Sequence, residues 1–494
     1  MSSKSFKYLI AVYDIGKTNK KFTIFTDNLN PIFSTSTKIG EMNVRGVLCD
    51  NVEAIVRWMQ EVINEVPHRK IKSIAITTFG ATGVLLDEKG DLAFPVVSYN
   101  HEIDPVIKSK FYETFGSPEE LYLRTGTPPY GQLLNFGIQL FWHKQVRPEI
   151  YENVKTILFL PQYLSYVMTG VKSIEVTSVG CHTYLYDIIE RGWSLVAEEL
   201  EVPQRAPKEF TEVWRSIGKT KWIEEAVVTT GIHDSNASLL PFLITGDLGN
   251  FILASTGTWC VFMCPGLPFK PLRDDVYRDV LYYVDAFNRP VRSSRFKGGH
   301  EFDYYMSLLR KRFNLGTGVI DMDVDEEVLK TLLKDREVFI IPTLTPGSGQ
   351  FPKSKGRIIG ENAFYKNFKL AYHALNLSIA VQTYFAIEAI LRRRSFEGLK
   401  VIVAGGFAKN TLYLRLLTAL LRGAEIFKTR YPDLTSLGAA LTAKAAYEGI
   451  SLDQIDIETV RSMTAEEPVE PLEISEELFM SYVSEFEQYC LTEK

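Results

Sequence analysis

Cysteine is scarce. Five thiols, Cys49, Cys181, Cys260, Cys264 and Cys490, stand in 494 residues. Sparse and odd in number, they exclude a disulfide framework and suit a reducing compartment. Cys260 and Cys264 lie four apart, but no second Cys/His pair joins them, so a zinc site has little support. A basic excess is missing as well. Lys+Arg number 55 against 60 Asp+Glu, a net charge of −5, and no basic stripe of the kind that nucleic-acid binders carry is visible. The one compact basic run, Arg392 to Arg394, reads as a helix C-terminus that suits the helix dipole. No uninterrupted apolar run reaches the roughly 18 residues of a membrane-spanning helix. The opening MSSKSFKYLIAVYDIG meets acid too early for a signal peptide. The expectation is a soluble, cytoplasmic protein with no nucleic-acid or membrane partner.

What is present is globular: 46% hydrophobic and 23% charged residues. At about 100–200 residues per domain, the length suggests two large domains. Short β-rich runs alternate with longer helical stretches, which implies α/β. Strands are expected at 8–13, 22–26, 71–79, 226–230, 251–254, 338–341 and 401–404, each ending at Gly, Pro or Asp. Helices are expected over 53–65, 369–394 and 474–490 from their apolar spacing. The acidic stretch 466–477, with Pro468 and Pro471, reads as a surface connection.

Two places resemble each other. A strand at 9–13 runs through DIGKTNKK into a strand at 22–26, and a strand at 251–254 runs through STGTW into 260–263. The repeat predicts two related halves, 1–246 and 247–494, joined at the polar, glycine-containing ITGDLGN.

Four motifs carry candidate chemistry. Asp14 to Lys20 is not a P-loop, because the glycine spacing fails and a strand follows where a helix should. Its small residues let backbone N–H groups approach phosphate oxygens, with Thr18, Asn19 or Lys20 as further donors. Asp14, at a strand end, is a candidate Mg²⁺ holder. An ordinary β-turn fits the same residues. Ser255 to Trp259 is the counterpart hairpin, with two hydroxyls around Gly257. Val401 to Asn410 joins a strand, the pair Gly405 and Gly406 and a helix start, a geometry that admits a nucleotide; Asn410 reads equally as a helix N-cap. Gly231-Ile232-His233-Asp234 follows a strand, and Asp234 is placed either as a general base for a substrate hydroxyl or as an N-cap.

Taken in order, these pieces resemble the FGGY carbohydrate kinases of the actin/hexokinase-like ATPase superfamily, in particular their L-fuculokinase and L-rhamnulokinase members. The resemblance rests on DIGKTN (14–19), ITTFGATG (76–83), TTGIHDSNASLLP (229–241), STGTW (255–259), PTLTPGSGQFP (342–352), KGRIIG (355–360), VIVAGGFAKN (401–410) and SLGAALTA (436–443). It implies two actin-like (ribonuclease H-like) lobes around a central cleft, ATP with Mg²⁺, and phosphoryl transfer to a hydroxyl of a small sugar such as L-fuculose or L-rhamnulose in ketose form, by a monomer or homodimer. Carried over by motif, Asp234 is the catalytic base, His233 touches sugar and Asp14 helps hold Mg²⁺. Gly16, Lys17, Thr18 and Asn19, with Thr256, Gly257 and Thr258, face the phosphates. Gly405, Gly406 and Asn410 border the adenosine. Phe79 and Gly80 line the sugar pocket, with Thr82 nearby. Gly80-Ala81-Thr82 stands where these relatives carry G-V-D, and Asn100 to Asp104 replaces an Arg-containing stretch. Both departures bear on the acceptor, leaving xylulose, a polyol or a non-catalytic nucleotide-binding role as alternatives.

Overall fold

In the computed structural model, which describes residues 6–492 apart from 67, 247–249, 346 and 465, the runs LIAVYDI and NKKFTIFT form an antiparallel hairpin. Its strands are β1 (Leu9–Ile15) and β2 (Asn19–Thr26). On its outer side β3 (Pro31–Lys38) forms an exposed edge. Inward, β4 (Ile71–Thr78) runs parallel to β1, and β5 (Val227–Thr229) parallel to β4. β4 is almost wholly buried, as expected of a parallel strand covered on both faces.

The second sheet repeats this plan. β6 (Phe251–Thr256) and β7 (Cys260–Pro265) form the hairpin. β8 (Val280–Val284) and β9 (Pro290–Phe296) extend it on one side. β10 (Lys400–Gly405) lies parallel to β6, and β11 (Glu425–Thr429) parallel to β10. Each sheet has seven strands. The repeated strand–turn–strand unit is therefore a repeated sheet topology. The expected crossover over 244–250 falls largely on 247–249, outside the described residues.

The expected helices form with shifted ends. α1 (Val52–Asn64) starts where the Asn51 side chain accepts from the Ala54 N–H. α2 (Asp234–Thr245) follows the His233–Asp234 pair directly. α3 (Gly298–Phe313) leads away from β9. α4 (Phe368–Leu391) is long and apolar enough to span a membrane by composition, yet its most apolar window is 89% buried inside the fold. It stops at Arg392, whose backbone turns left-handed. The basic run thus lies just past the helix, with Arg392 on Asp275 and Arg394 on Glu487. α5 (Thr411–Leu420) and α6 (Leu434–Glu448) complete the second half. α7 (Glu476–Leu491) buries Phe479, Tyr482 and Phe486 in that half's own core.

α2 and α6 hold the two sheets together. One apolar cluster joins Ile10 and Val12 of the first sheet, Leu253 and Ile402 of the second, and Leu240 and Leu437 of the two helices. The helices cross backbone against backbone. A Cβ at Gly438 would lie 1.7 Å from the Ala237 carbonyl oxygen, so only glycine fits. Between β4 and β5 the chain builds a mainly helical insertion with its own core around Phe111, Tyr122, Leu140 and Tyr184. That insertion walls the cleft described next.

Candidate active site

The ends of β1, β4 and β5 lie side by side, as strand ends at a ligand crevice of an α/β sheet do. A two-residue strand, Ile232–His233, pairs with Thr77 and Thr78 and turns the chain into α2, so Asp234 stands at the first position of that helix. Here a cavity of about 410 Å³ opens between the halves. Phe79, Gly80, His233 and Asp234 line it from the first half, and Thr256 and Gly257 from the second. Six residues singled out in the sequence thus meet at one cavity.

Asp234 is one-third exposed to it. Its Oδ1 accepts from the Ser235 N–H at 2.6 Å and lies 3.3 Å from His233 Nε2. Its Oδ2 has no hydrogen-bond partner among the described residues. One carboxylate oxygen is held and the other is left for a ligand. Burial pushes the His233 pKa down, so the ring is neutral at pH 7. Its backbone N–H is fixed on Thr177 Oγ1 at 3.1 Å. Gly80 makes room for this ring: a Cβ there would lie 2.8 Å from His233 Nε2.

The first hairpin is tight, since a Cβ at Gly16 would lie 2.9 Å from the Asn19 carbonyl. Thr18 and Asn19 are exposed at its tip. Asp14 pairs across the strands with Lys21, 3.4 Å away, and Lys21 reaches Asp433 at 2.8 Å. Burial pushes the Asp14 carboxyl up to about 7; Lys21 opposes that shift, and Asp433 and Asp234 add to it. Two carboxylates, Asp14 and Asp433, thus share one ammonium, with the charge of Asp234 felt nearby, a place that gains from a further cation. Among the described residues no group of three or more His, Cys, Asp or Glu forms a metal cage. Mg²⁺ suits such a place, because it takes one or two carboxylates and draws its other ligands from phosphate and water.

The second hairpin is strapped to the glycine turn. Thr256 Oγ1 donates to the Ala404 carbonyl at 2.5 Å and accepts from the Phe407 N–H at 2.9 Å. Gly405 takes φ +84° with its Cβ position 2.0 Å from the Thr256 carbonyl, so no side chain fits. Gly257, Thr258, Gly405 and Gly406 are all exposed. The start of α3 abuts this tip, where the His300 N–H donates to the Thr258 carbonyl at 3.2 Å.

Three expectations are corrected by geometry. The Lys17 ammonium does not reach toward phosphate. It is bound by Asp50 at 2.7 Å and Glu41 at 2.8 Å, and it lies over the Tyr99 and Phe79 rings. It braces the aromatic wall instead, leaving only its backbone to the hairpin. Thr82 is buried behind that wall, its hydroxyl donating to the Gly80 carbonyl at 3.2 Å, and it does not line the cavity. Asn410 spends both ends of its amide internally: Oδ1 caps α5 through the Tyr413 N–H, and Nδ2 donates to Asn376 Oδ1 at 2.7 Å.

Other lining residues had no sequence signal. His182 has φ +59°, a left-handed conformation rare outside glycine, and burial lowers its pKa well below the usual range. Arg295 lies over Tyr130, more than a hundred residues away in the chain, and over Trp259 at the end of the second motif. Lys21 was within reach of counting, because a hairpin pairing Ile15 with Lys20 must pair Asp14 with Lys21.

Comparison with known proteins accounts for nearly the whole chain. Residues 9–236 match the model of the FGGY family of carbohydrate kinases, N-terminal domain, and residues 249–450 that of carbohydrate kinase FGGY, C-terminal domain. A rhamnulokinase of Halalkalibacterium halodurans is 28% identical over 257 residues, 50% of this chain and 52% of the relative. An L-fuculokinase of Escherichia coli is 25% identical over 214 residues, 41% of this chain and 44% of the relative. The chain spans about half the length of the curated relatives it matches. Among solved structures, a carbohydrate kinase from Novosphingobium aromaticivorans superposes with TM-score 0.78 at 25% identity over 99% of both chains. A Plasmodium falciparum glycerol kinase with ADP shares the fold, with TM-score 0.76 at 16% identity over 100% of both.

Proposed function

The chain belongs to the FGGY family of carbohydrate kinases, and from that premise we propose that it transfers the γ-phosphoryl group of ATP to a hydroxyl of a small sugar, with Asp234 as general base. The observation that carries this reading is Asp234 Oδ2, without a hydrogen-bond partner among the described residues, on a carboxylate that lines a monosaccharide-sized cavity shared with the glycine-bearing hairpin at 255–259. The acceptor oxygen forms a bond to the γ-phosphorus while the bond from phosphorus to the ADP oxygen breaks. The hydroxyl proton passes to Asp234 Oδ2. The N–H and hydroxyl of Ser235 hold Oδ1, so the carboxylate keeps its aim during that transfer.

Phosphoryl transfer asks the protein mainly for position and charge neutralisation. Backbone N–H groups over 16–19 and that of Thr258 serve the phosphates, the Gly257 N–H being used to close its own turn on the Trp259 carbonyl, and the open turn at Gly405–Gly406 serves the adenosine. Asp14 is the residue to hold Mg²⁺, whose chemistry when bound is to offset the phosphate charge. In this reading residues 1–246 supply the sugar side, the base and the first phosphate hairpin, and 247–494 the second phosphate hairpin and the adenosine site. An L-fuculose- or L-rhamnulose-type ketose is the acceptor favoured by the motif resemblance; the curated relatives carry those names.

The test is ADP release from Mg·ATP across ketoses, aldoses and polyols, with Asp234→Asn as control. The expected result is turnover with a small set of acceptors and a kcat lower by about a thousandfold in the variant, within the range for a lost general base, at unchanged thermal stability. Wild-type turnover in Asp234→Asn would overturn the assignment.

A further inference from the structure

Two cations in the cavity remain unused by this chemistry. Apart from Asp234, Arg295 and Lys297 are the only charged side chains among its described lining residues. They stand two apart at the end of β9, so they share a face with Ser293, which also lines the cavity. Arg295 is 8% exposed. Its guanidinium is clamped between aromatic rings, 4.1 Å from the centre of Tyr130 and 4.5 Å from that of Trp259. Its Nε donates to Asp279 Oδ1 at 3.1 Å, and Asp279 Oδ2 is taken by the Gly349 N–H. The two terminal nitrogens have no hydrogen-bond partner among the described residues. Lys297 also lies over Trp259, 5.1 Å from its centre, with no carboxylate in ion-pair range among the described residues.

Two neighbouring cations with one carboxylate between them are costly in a half-buried cleft unless an anion arrives. The repulsion is felt, because burial and Arg295 together lower the Lys297 pKa. Beside them His182 presents a neutral ring against Tyr130, with its Nδ1 buried and unpartnered. The anion could be the γ-phosphate or a group on the acceptor. Position favours the acceptor. Arg295 is packed on Tyr130, and its charge is felt at Tyr99, Cys181 and His182, all on the first half's wall. Arg295 also touches the second hairpin through Trp259, so the ATP KM is read beside the acceptor KM below. A planar guanidinium fixed by two rings, with both terminal nitrogens open, matches a carboxylate's two oxygens.

We infer that the acceptor is a sugar acid, whose carboxylate is seated on Arg295 with Lys297 alongside while a hydroxyl of the same molecule faces Asp234. The inference rests on the kinase reading above. It moves the substrate from the neutral ketoses of the motif resemblance to aldonates, ketoaldonates or uronates.

The experiment measures ADP release with matched pairs: a hexonate against the hexitol, a pentonate against the pentitol, a hexuronate against the hexose. Arg295→Met and Lys297→Met are run beside the wild type. The acid member of at least one pair should be preferred about 100-fold in kcat/KM, the scale of a buried charge pair. Arg295→Met should raise the acceptor KM by about the same factor with the ATP KM unchanged. Lys297→Met, at a partly exposed site that tolerates the change, should raise it about fivefold. Equal or better use of the neutral members would overturn the sugar-acid assignment and leave the kinase reading standing. A rise in the ATP KM with the acceptor KM unchanged would assign the pair to the γ-phosphate and also overturn it. No ADP release with any member would remove the kinase reading itself, and this inference with it.

Discussion

The hairpin over 14–21 and the hairpin over 255–261 share a topology and a parallel neighbour on the same side, yet they are fastened by different forces. The first sets Asp14 opposite Lys21, with Asp433 on the same ammonium. The second sets Ser255 and Thr256 opposite Val261 and Cys260, and is fastened by one hydroxyl to the turn at Ala404–Phe407. The backbone plan is repeated while the side chains differ. Charge is concentrated in the first hairpin, and neutral hydrogen bonding joins the second to its glycine turn. Both depend on the α2–α6 crossing, which sets one half against the other.

That contrast can be broken at several points. Gly438→Val strikes the crossing and should affect both hairpins at once. With a carbonyl 1.7 Å from the new Cβ, a loss of about 3 kcal/mol or more is expected in urea unfolding, and activity should fall with the folded fraction. Asp14→Asn should act on the first hairpin alone, lowering kcat/KM for Mg·ATP about 100-fold while acceptor affinity by calorimetric titration is kept. Loss of acceptor affinity alone would count against its assigned place.

The Asp14 carboxyl, raised to about 7 from its usual 3.8, should also impose a pH limb. Below pH 7 it is protonated in the free protein, so kcat/KM for Mg·ATP should drop about tenfold per unit of acidification. The sign for folding is opposite. Between the unfolded and folded pKa values the native state holds the extra proton, so stability without nucleotide should decline as pH rises from about 4 to 7 and level off above. Asp14→Asn should flatten both profiles. Thr256→Val is the mildest. It leaves the Ala404 carbonyl and the Phe407 N–H unpaired, and should cost about 2 kcal/mol of stability with only a severalfold change in turnover. A 100-fold loss of turnover would mean that the second hairpin does more than hold its neighbour.

The legible parts of the molecule were those whose cause is local. A strand-end acid ahead of a helix start marked Asp234, and small residues between short apolar runs marked both hairpins. Strand and helix ends shifted by a residue or two, since fraying and caps decide them. What stayed hidden depends on partners far along the chain. Lys17 looks like a phosphate residue until Glu41, Asp50 and Tyr99 are folded around it. Thr82 looks like a pocket residue until the Phe79–Tyr99 wall closes in front. Arg295 carried no signal, because its neighbours Tyr130, Trp259 and Asp279 come from three separate segments.

The placement of α6 reaches into the protein's synthesis. The face of the first sheet that carries Tyr8, Ile10, Val12 and Ala75 is covered in part by a helix drawn from residues 434–448, and Lys444 and Glu448 tie that helix to Tyr8 and Asp27. A ribosome adding about 5–20 residues per second finishes the first half roughly 10–40 seconds before this cover emerges. During that interval the part of this oily face that α6 covers stays exposed in the nascent first half, with α2 the only one of the two helices yet made. The halves, alike in plan, do not mature independently, because the first waits for residues 434–448 to be closed.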